Sequence, residues 1–534
     1  MLRVRWLGRV RYQDAQAVQQ ALFAAPAGHD WLLLLEHHPV YTMGVHASMD
    51  HVLAAPDSVG AELIRTNRGG DVTYHGPGQI TGYPILTAPM GRGSTPAHVA
   101  AVEQLVIDVL ADLGLPGAGR LAGYPGVWVD PDGANPRKIC AIGIRLSRGR
   151  TMHGFALNVA PDLAMFGHIV PCGIPDKAVT SVAAEGIDVS LHDVVDALAR
   201  RAATRWGTAA GGTERQDVAW RVAPADLSAF SRGLTGRLLA GGLDPAAGRP
   251  LAERKPEWVR VKADLGPKYR ELRRTMRSLD LVTVCEEAGC PNIYECWRDG
   301  TATFMINGDR CTRACGFCLV DTRRPIAPDS TEPARVAAAV GRLGVLHAVV
   351  TAVARDDLVD GGATGFAGTI AAIRDQCPGT AVEVLIPDCR GEPAALDVIF
   401  AARPDVLNHN LETVARMQRI VRPSASYARS LAVLARAAAA GLRTKSGIIL
   451  GMGETDDEVI GALADLRGVG VSIVTVGQYL RPTEHHLPVQ RWVTPAEFDA
   501  LRRAAEEMGF DHVEASPLTR SSYHARQAAS GVSA

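Results

Sequence analysis

From about residue 300 onward the chain repeats one pattern, a short β-rich run followed by a helical segment, and this repetition restricts the fold more than any other feature. The runs are TATFMIN, HAVVTAV, AVEVLI, DVLNHN, LRTKSGIIL and SIVTVGQYL, and the helical segments fall near 332–344, 363–376, 392–402, 427–440, 456–468 and 495–508. Six β-then-α units in series predict a parallel sheet, because right-handed crossovers lay each strand beside the last. A closed barrel of this type takes eight such units, so an open, partial (βα)6 barrel is expected. Chemistry in such folds sits at the C-terminal ends of the strands, and CTRACGFC follows the first strand there.

At 534 residues the chain exceeds the ~250–300 residues that one core can organise, so a second domain is required. Residues 1 to about 210 read as a mixed α/β domain. Asp14 to Ala25 and Ala97 to Leu113 carry helical periodicity, while WLLLL and Ile139 to Leu146 read as strands. The stretch KICAIGIRLSRGRTMHGFALNV predicts a hairpin turning through Gly149. From about Gly211 to Pro250 the composition shifts to Ala, Gly, Arg and Pro, as in a linker that could hold a helix. The expected division is 1–215, a linker over 216–250, and 251–534. A net charge of −1 favours neither nucleic acid nor an acidic membrane surface. No apolar run approaches the ~18 residues of a membrane span, and the first residues, MLRVRWLGRVRYQDAQ, lack a signal-peptide core. The expected location is the cytoplasm, where cysteines serve metal or catalysis more than disulfides.

Six of the ten cysteines fall between Cys285 and Cys318. Cys311, Cys315 and Cys318 are spaced C-x3-C-x2-C. Three thiolates on one loop can hold three irons of a [4Fe–4S] cluster and leave the fourth open to a small molecule. A structural zinc site is the competing reading, but zinc knuckles use four ligands in paired C-x2-C units. This motif on a βα barrel resembles the radical S-adenosylmethionine superfamily. The resemblance implies that the open iron binds S-adenosylmethionine, whose one-electron cleavage yields a radical able to attack unactivated C–H bonds.

Cys285, Cys290 and Cys296 form a second trio, C-x4-C-x5-C. The string TVCEEAGCPNIYECWRDGTATFMINGDRCTRACGFC, with LNHNLETV, TKSGIILGMGET, VGQYLRPTEHHLPV and RSSYHA, resembles lipoyl synthase over about residues 253–528. The resemblance implies a second [4Fe–4S] cluster that donates sulfur, with a serine oxygen as fourth ligand: Ser522 by motif position, Ser521 as the alternative. Two positions depart from the family pattern, Ala352 where serine is usual and Cys389 where an aromatic follows IPD.

In the first half the candidates are Cys172, in FGHIVPCGI, and Lys138, in NPRKICAIGIR. A free thiol is mostly protonated at neutral pH and needs activation before it attacks an acyl group. A nearby ammonium can supply this; a lone cysteine is otherwise commonly a small buried apolar residue. Together with RTNRGGDVTYHGPGQITGYPI and RTMHGFALNV, these strings resemble the octanoyl–acyl carrier protein:protein octanoyltransferases over about residues 2–210, a family whose fold resembles biotin and lipoate protein ligases. The resemblance makes Cys172 the acyl acceptor and Lys138 its activator and proton shuttle. It lines the acyl site with Arg68, Gly69, Gly70, Asp71, Val72, Thr73, Tyr74 and His75, with Ala141, Ile142 and Gly143, and with Gly154, Phe155 and Ala156. The glycines of RGG and HGPG would let backbone N–H donors converge on an oxyanion. His75 is open to two readings, a further base or a loop-fixing residue; His37, His38, His485 and His486 read as non-catalytic.

The combined expectation is a bifunctional enzyme that transfers octanoyl to a lipoyl-domain lysine and then inserts sulfur at C6 and C8 using two S-adenosylmethionines. A competing reading makes the first half a non-catalytic docking module. The resemblances imply as partners octanoyl–acyl carrier protein, the lipoyl domains of 2-oxoacid dehydrogenase E2 subunits and the glycine cleavage H protein. A reductant such as ferredoxin or flavodoxin and an iron–sulfur cluster carrier complete the set. The acidic carriers would meet basic patches, for which Arg137, Lys138, Arg145, Arg148 and Arg150, and Lys268, Arg270, Arg273 and Arg274, are candidates.

Overall fold

Burial on both faces decides which strands of the first half are central. Among the described residues, the strands run from β1 (Leu2–Val10), β2 (Asp30–His37), β3 (Val40–Met43), β4 (Glu62–Arg65), β5 (Val72–His75) and β6 (Gln79–Ile85) through β7 (Ala118–Leu121), β8 (Tyr124–Val129), β9 (Arg137–Ser147), β10 (Arg150–Asn158), β11 (Ala178–Val179) and β12 (Thr213–Asp217). β6 and β10 are buried along their whole length, β2 almost so, and all three lie mid-sheet in the order β12-β1-β2-β6-β10-β9-β8-β7. β1 pairs parallel with β2 and β12, while β2–β6, β6–β10, β10–β9 and β9–β8 are antiparallel. The β9–β10 hairpin turns through Arg148 and Gly149, both at positive φ (52° and 72°), as the tightest hairpin loops require. Helices Ser94–Asp112 and Leu191–Ala202 bury Val102, Leu105, Val109, Val194 and Leu198 in one core with Leu2, Leu32, Leu34 and Leu157. A second, three-stranded sheet, β4-β3-β5, has its own small core of Tyr41, Met43, Val72, Tyr74, Phe166 and Ile169.

This computed structural model describes the chain except residues 27–28, 89–90, 92, 208–210, 221–233, 241, 261–265, 280, 284–291, 293–300 and 531–534. It separates into two units, Met1–Trp220 and Arg221–Ala534. Both flanks of the stretch expected as a linker are engaged. β12 runs to Asp217, and Trp220 stacks on Trp6 at 4.3 Å. At the other flank, helix Leu234–Ala240 and the turns after it pack on the second unit.

The second unit carries β13 (Val282–Thr283), β14 (Thr301–Ile306), β15 (His347–Ala352), β16 (Ala381–Leu385), β17 (Val406–Asn408), β18 (Thr444–Leu450), β19 (Ile473–Gln478) and β20 (His512–Ala515) in sequential order. β14 to β20 are all parallel, and β13 is antiparallel at the edge. The six expected units are present, and β20 extends the sheet by a seventh parallel strand that HVEA, short and half polar, does not announce. Among the described residues the first and last strands do not pair, so the barrel is open. Its interior is polar toward the N-terminal ends of the strands. Lys445 Nζ meets Glu383 at 2.9 Å and His347 meets it at 3.3 Å, all three side chains at 1% exposure or less. No helix among the described residues is long and apolar enough to cross a membrane.

Candidate functional sites

Two-residue periodicity builds the first site. Along β5, Val72 and Tyr74 point into the small core, while Thr73 and His75 face the opposite way into a cavity of about 260 Å³. The cavity is closed by Arg68, Gly70 and Asp71 from the preceding loop, Thr81 and Tyr83 of β6, Lys138 and Ala141–Gly143 of β9, Gly154–Ala156 of β10, and Cys172. The structure thus brings together Cys172, Lys138 and most of the expected lining. Val72 and Tyr74 do not line it, and neither does Gly69, whose N–H donates to Ile144 O at 3.1 Å.

Cys172 sits in the turn Pro171–Gly173 at φ 56°, ψ 20°, a left-handed conformation that costs a non-glycine residue energy and holds the thiol at the cavity wall. Lys138 is 7% exposed, its ammonium 4.8 Å from the centre of the Trp128 ring, a cation–π contact that keeps a desolvated cation in place. Arg68 is also buried; burial lowers its pKa, and the charges of Tyr12, Cys172, Tyr83 and Asp71 oppose that shift.

His75 is held in a hydrogen-bond network that fixes its loop. Its Nδ1 donates to Gln79 Oε1 at 2.8 Å and its Nε2 accepts from the Thr42 hydroxyl at 3.2 Å, in a chain that begins at Arg68. Burial, with His37 and Arg68 adding to it, holds its pKa well below the ordinary histidine value, so the ring is neutral. The HGPG loop is likewise structural: the Gly78 N–H is taken by Glu36 Oε1 at 2.8 Å, and a Cβ on Gly76 would fall 2.0 Å from the Tyr74 hydroxyl. The Gly78 N–H is thereby committed to Glu36. His37, bonded to Val10 O and the Tyr83 hydroxyl, is buried and structural.

Sequence reasoning missed His51. Its Nδ1 pairs with Asp71 Oδ2 at 2.7 Å, and a Cβ on Gly173 would lie 2.7 Å from that carboxylate and 3.5 Å from the imidazole. The His51 carbonyl accepts from Val170 N, so this dyad braces the turn that carries Cys172. An isolated MDH triplet gives no periodic signal for such a role.

The expected basic patch beside this site does not form as a set. Arg137 is bound by Glu185 at 2.9 Å, and Arg150 is buried against Asp30 at 3.1 Å. Arg145 lies over the Phe23 ring, and Arg148 is exposed in the hairpin turn. In the second unit Arg270, Arg273 and Arg274 are exposed on helix Pro267–Ser278; the Lys268 side chain is outside the described residues.

The second site is a loop at the C-terminal end of β14. Cys311 N donates to Asp321 O, Thr312 N to Ala354 O and Gly316 N to Val421 O, which ties the thiol-bearing loop to three neighbours. Arg313, between the first two cysteines, is its anchor: it grips both Asp356 oxygens at 2.7 Å and Asp388 at 2.6 Å. Burial would push the Asp388 carboxyl up, but Arg313 overrides it and holds it far below the usual range. His486, read as non-catalytic, donates from Nε2 to Cys318 O at 2.9 Å and so supports the loop without touching a thiol.

Burial raises the Cys315 thiol and pushes Cys318 up to about 12, and each is raised further by its neighbouring thiols. Alone, these two are protonated; a soft cation would replace the protons. The Arg313 N–H points at Cys311 Sγ at 3.4 Å, the kind of donor that tunes a cluster sulfur. Among the described residues no three His, Cys, Asp or Glu side chains already stand in metal-coordinating geometry. The donor set and its hydrogen bonds nonetheless fit an iron–sulfur cluster, which would draw the three thiolates together. Cys285, Cys290 and Cys296 lie outside the described residues. Asn292 between them is described; its Nδ2 donates to Leu518 O at 2.5 Å, close in sequence to Ser521 and Ser522. Asn410 Nδ2 donates to the Ser521 hydroxyl at 2.6 Å.

These sites define a radical S-adenosylmethionine barrel carried on the same chain as a ligase-type α/β acyl site. A model of the radical SAM superfamily matches residues 305–466, one of the N-terminal domain of lipoyl synthase matches 245–290, and one of the lipoyl protein ligase A/B catalytic domain matches 11–203. A lipoyl synthase of Mycobacterium avium (strain 104) is 57% identical over 281 residues, 52% of this chain and 92% of that protein. One of Rubrobacter xylanophilus is 55% identical over 275 residues, 51% and 86% of the two chains. The chain belongs to the lipoyl synthase family, with a lipoyl protein ligase A/B catalytic domain in its first half. It is an enzyme whose family implies S-adenosylmethionine and iron–sulfur chemistry, and the first half supplies a second, transferase-type activity. Among solved structures, a bi-partite lipoate protein ligase with its E2 lipoyl domain from Thermoplasma acidophilum is similar at 18% identity and a TM-score of 0.33, covering 40% of this chain and 85% of that one.

Proposed function

We propose that the chain makes protein-bound lipoyl groups in two consecutive steps, residues 1–215 acting as an octanoyltransferase and 251–534 as a lipoyl synthase. The observation that carries the first step is one cavity walled by Cys172, Lys138 and all three motif strings. At about 260 Å³ it falls below the ~300–1,000 Å³ that houses a drug-sized ligand. That suits a short acyl chain, and the thiol of Cys172 at the cavity wall favours transfer from a thioester over ATP-driven ligation. Cys172 attacks the octanoyl–acyl carrier protein thioester as a thiolate stabilised by the Lys138 ammonium, which then gives its proton to the departing carrier thiolate; a lipoyl-domain lysine amine resolves the acyl-enzyme, and the proton that amine loses returns to Lys138. Incubation with octanoyl carrier protein followed by intact-mass analysis should trap one octanoyl group, absent in Cys172→Ser. An unmodified Cys172 under turnover conditions removes this reading.

For the second step, a cluster on Cys311, Cys315 and Cys318 would supply the electron that cleaves S-adenosylmethionine, and one on Cys285, Cys290 and Cys296 the two sulfurs for C6 and C8. Arg313 and His486 hold the first loop in place. The serine ligand to the second cluster is Ser522, a choice supported by the engagement of Ser521 with Asn410 and by the Asn292–Leu518 bond. Eight irons per chain are expected on anaerobic reconstitution, and Ser522→Ala should abolish sulfur insertion while sparing S-adenosylmethionine cleavage. The partners in this reading are the acyl carrier protein, lipoyl domains of E2 subunits and the H protein, a ferredoxin or flavodoxin, and a cluster carrier, all in the cytoplasm.

A further inference from the structure

We propose that Arg237, on the stretch before the lipoyl synthase match begins, is a positioning residue of the Cys311–Cys318 loop whose cation makes the cluster held there easier to reduce. Arg237 falls between the two matched regions, after residue 203 and before 245. It is nonetheless seated at the thiol loop. The short helix Gln418–Val421 ends in two carbonyls that hold the pieces side by side: Ile420 O accepts from Arg237 Nη2 at 2.8 Å, and Val421 O accepts from Gly316 N at 2.8 Å. A Cβ on Gly316, next to Cys315, would lie 3.5 Å from Arg237 Nη2.

The seat is built rather than incidental. Leu238 is 2% exposed, and Leu243 fills the space over Gly453, where a Cβ would meet it at 2.5 Å. Arg249 N donates to Val489 O at 2.7 Å, and Trp258 Nε1 donates to Val493 O at 3.2 Å. The stretch is therefore a strap across the second unit.

Charge balance separates Arg237 from Arg313. Arg313 is neutralised by Asp356 and Asp388, whereas Arg422 is engaged by the Asn410 and Leu411 carbonyls and also acts on Cys315. Among the described residues no carboxylate pairs with Arg237, and its Nε is buried with no hydrogen-bond partner. Burial lowers its pKa, and the one charge opposing that shift is Cys315. An uncompensated cation in a partly desolvated setting stabilises the more negative state of a nearby group. Reducing a cluster by one electron adds that negative charge.

The inference rests on the trio being cluster ligands, and iron analysis of the unsubstituted full-length protein tests that separately. The experiment compares Arg237→Gln and Arg237→Lys in full-length protein reconstituted anaerobically, with Cys285, Cys290 and Cys296 replaced by Ala so that one cluster remains. Midpoint potentials are read by EPR-monitored dithionite titration. Arg237→Gln should shift the reduction equilibrium about tenfold against the reduced state, ~59 mV for one electron, with Arg237→Lys recovering most of it at unchanged iron content. A reduction equilibrium within twofold of the parent in both variants would overturn the proposal. So would equal loss of iron from both, which would make the residue a structural peg.

Discussion

The two sites meet the same demand, a reactive sulfur in a protected setting, by opposite means. In the first unit strand residues wall a cavity that a single braced turn supplies with its thiol, and the network supporting the walls runs Arg68–Thr42–His75–Gln79. In the second unit the thiols sit on a loop fixed by ion pairs to strand ends, and their final geometry awaits a metal. The difference teaches that sheet periodicity can build the cavity around a thiol held on a single braced turn, whereas a three-cysteine loop needs buried ion pairs and its own ligand.

Substitutions should separate the two. Cys172→Ala should cut octanoyl transfer on the order of 10⁴-fold and leave iron content and S-adenosylmethionine cleavage unchanged, as paired assays on one preparation will show. Lys445→Met strands the Glu383 carboxylate in the barrel interior and should cost the second unit about 3–5 kcal/mol in denaturant unfolding, with octanoyl transfer intact. If transfer fell in parallel, the units would not be independent. Arg313→Gln leaves Asp388 buried without its main partner; iron retained after a desalting column should fall severalfold, again without loss of transfer.

Acid should act on the first unit through its histidines. Burial lowers His37 and His98 to about 4 and His153 to about 3. The unfolded chain binds protons there near pH 6.5 while the folded one excludes them, so stability is full above that value and falls as pH drops from ~6.5 toward 4. The slope is up to about 1.4 kcal/mol per pH unit for each ring. Thermal melts of His98→Gln, whose ring Nε2 is buried without a partner, should show a shallower slope; an unchanged slope would contradict the assignment. The smallest effect expected is about a twofold to threefold loss of acyl-enzyme formation in His51→Gln, since the dyad braces the Cys172 turn without being required for attack.

The legible parts of the chain were those with a period or a spacing. Strand alternation and the βα repeat gave the sheet order of the second unit, and C-x3-C-x2-C marked its loop. What the sequence hid was set by long-range pairing. β20 is too short to stand out, His51 meets Asp71 only through the fold, and the Gly78 N–H is claimed by Glu36 from 42 positions away. Val72 and Tyr74 were grouped with their motif although their parity on β5 sends them to the other face.

The most direct test of a single chain doing both steps is intact-mass analysis of an apo lipoyl domain. It would be incubated with the reconstituted protein, octanoyl carrier protein, S-adenosylmethionine and dithionite. The carrier should gain an octanoyl group first and a lipoyl group after it, and Cys172→Ser should yield lipoyl product only from a carrier supplied already octanoylated. A wild-type reaction in which the carrier keeps its apo mass, or is lipoylated equally well by Cys172→Ser from octanoyl carrier protein, would contradict the account.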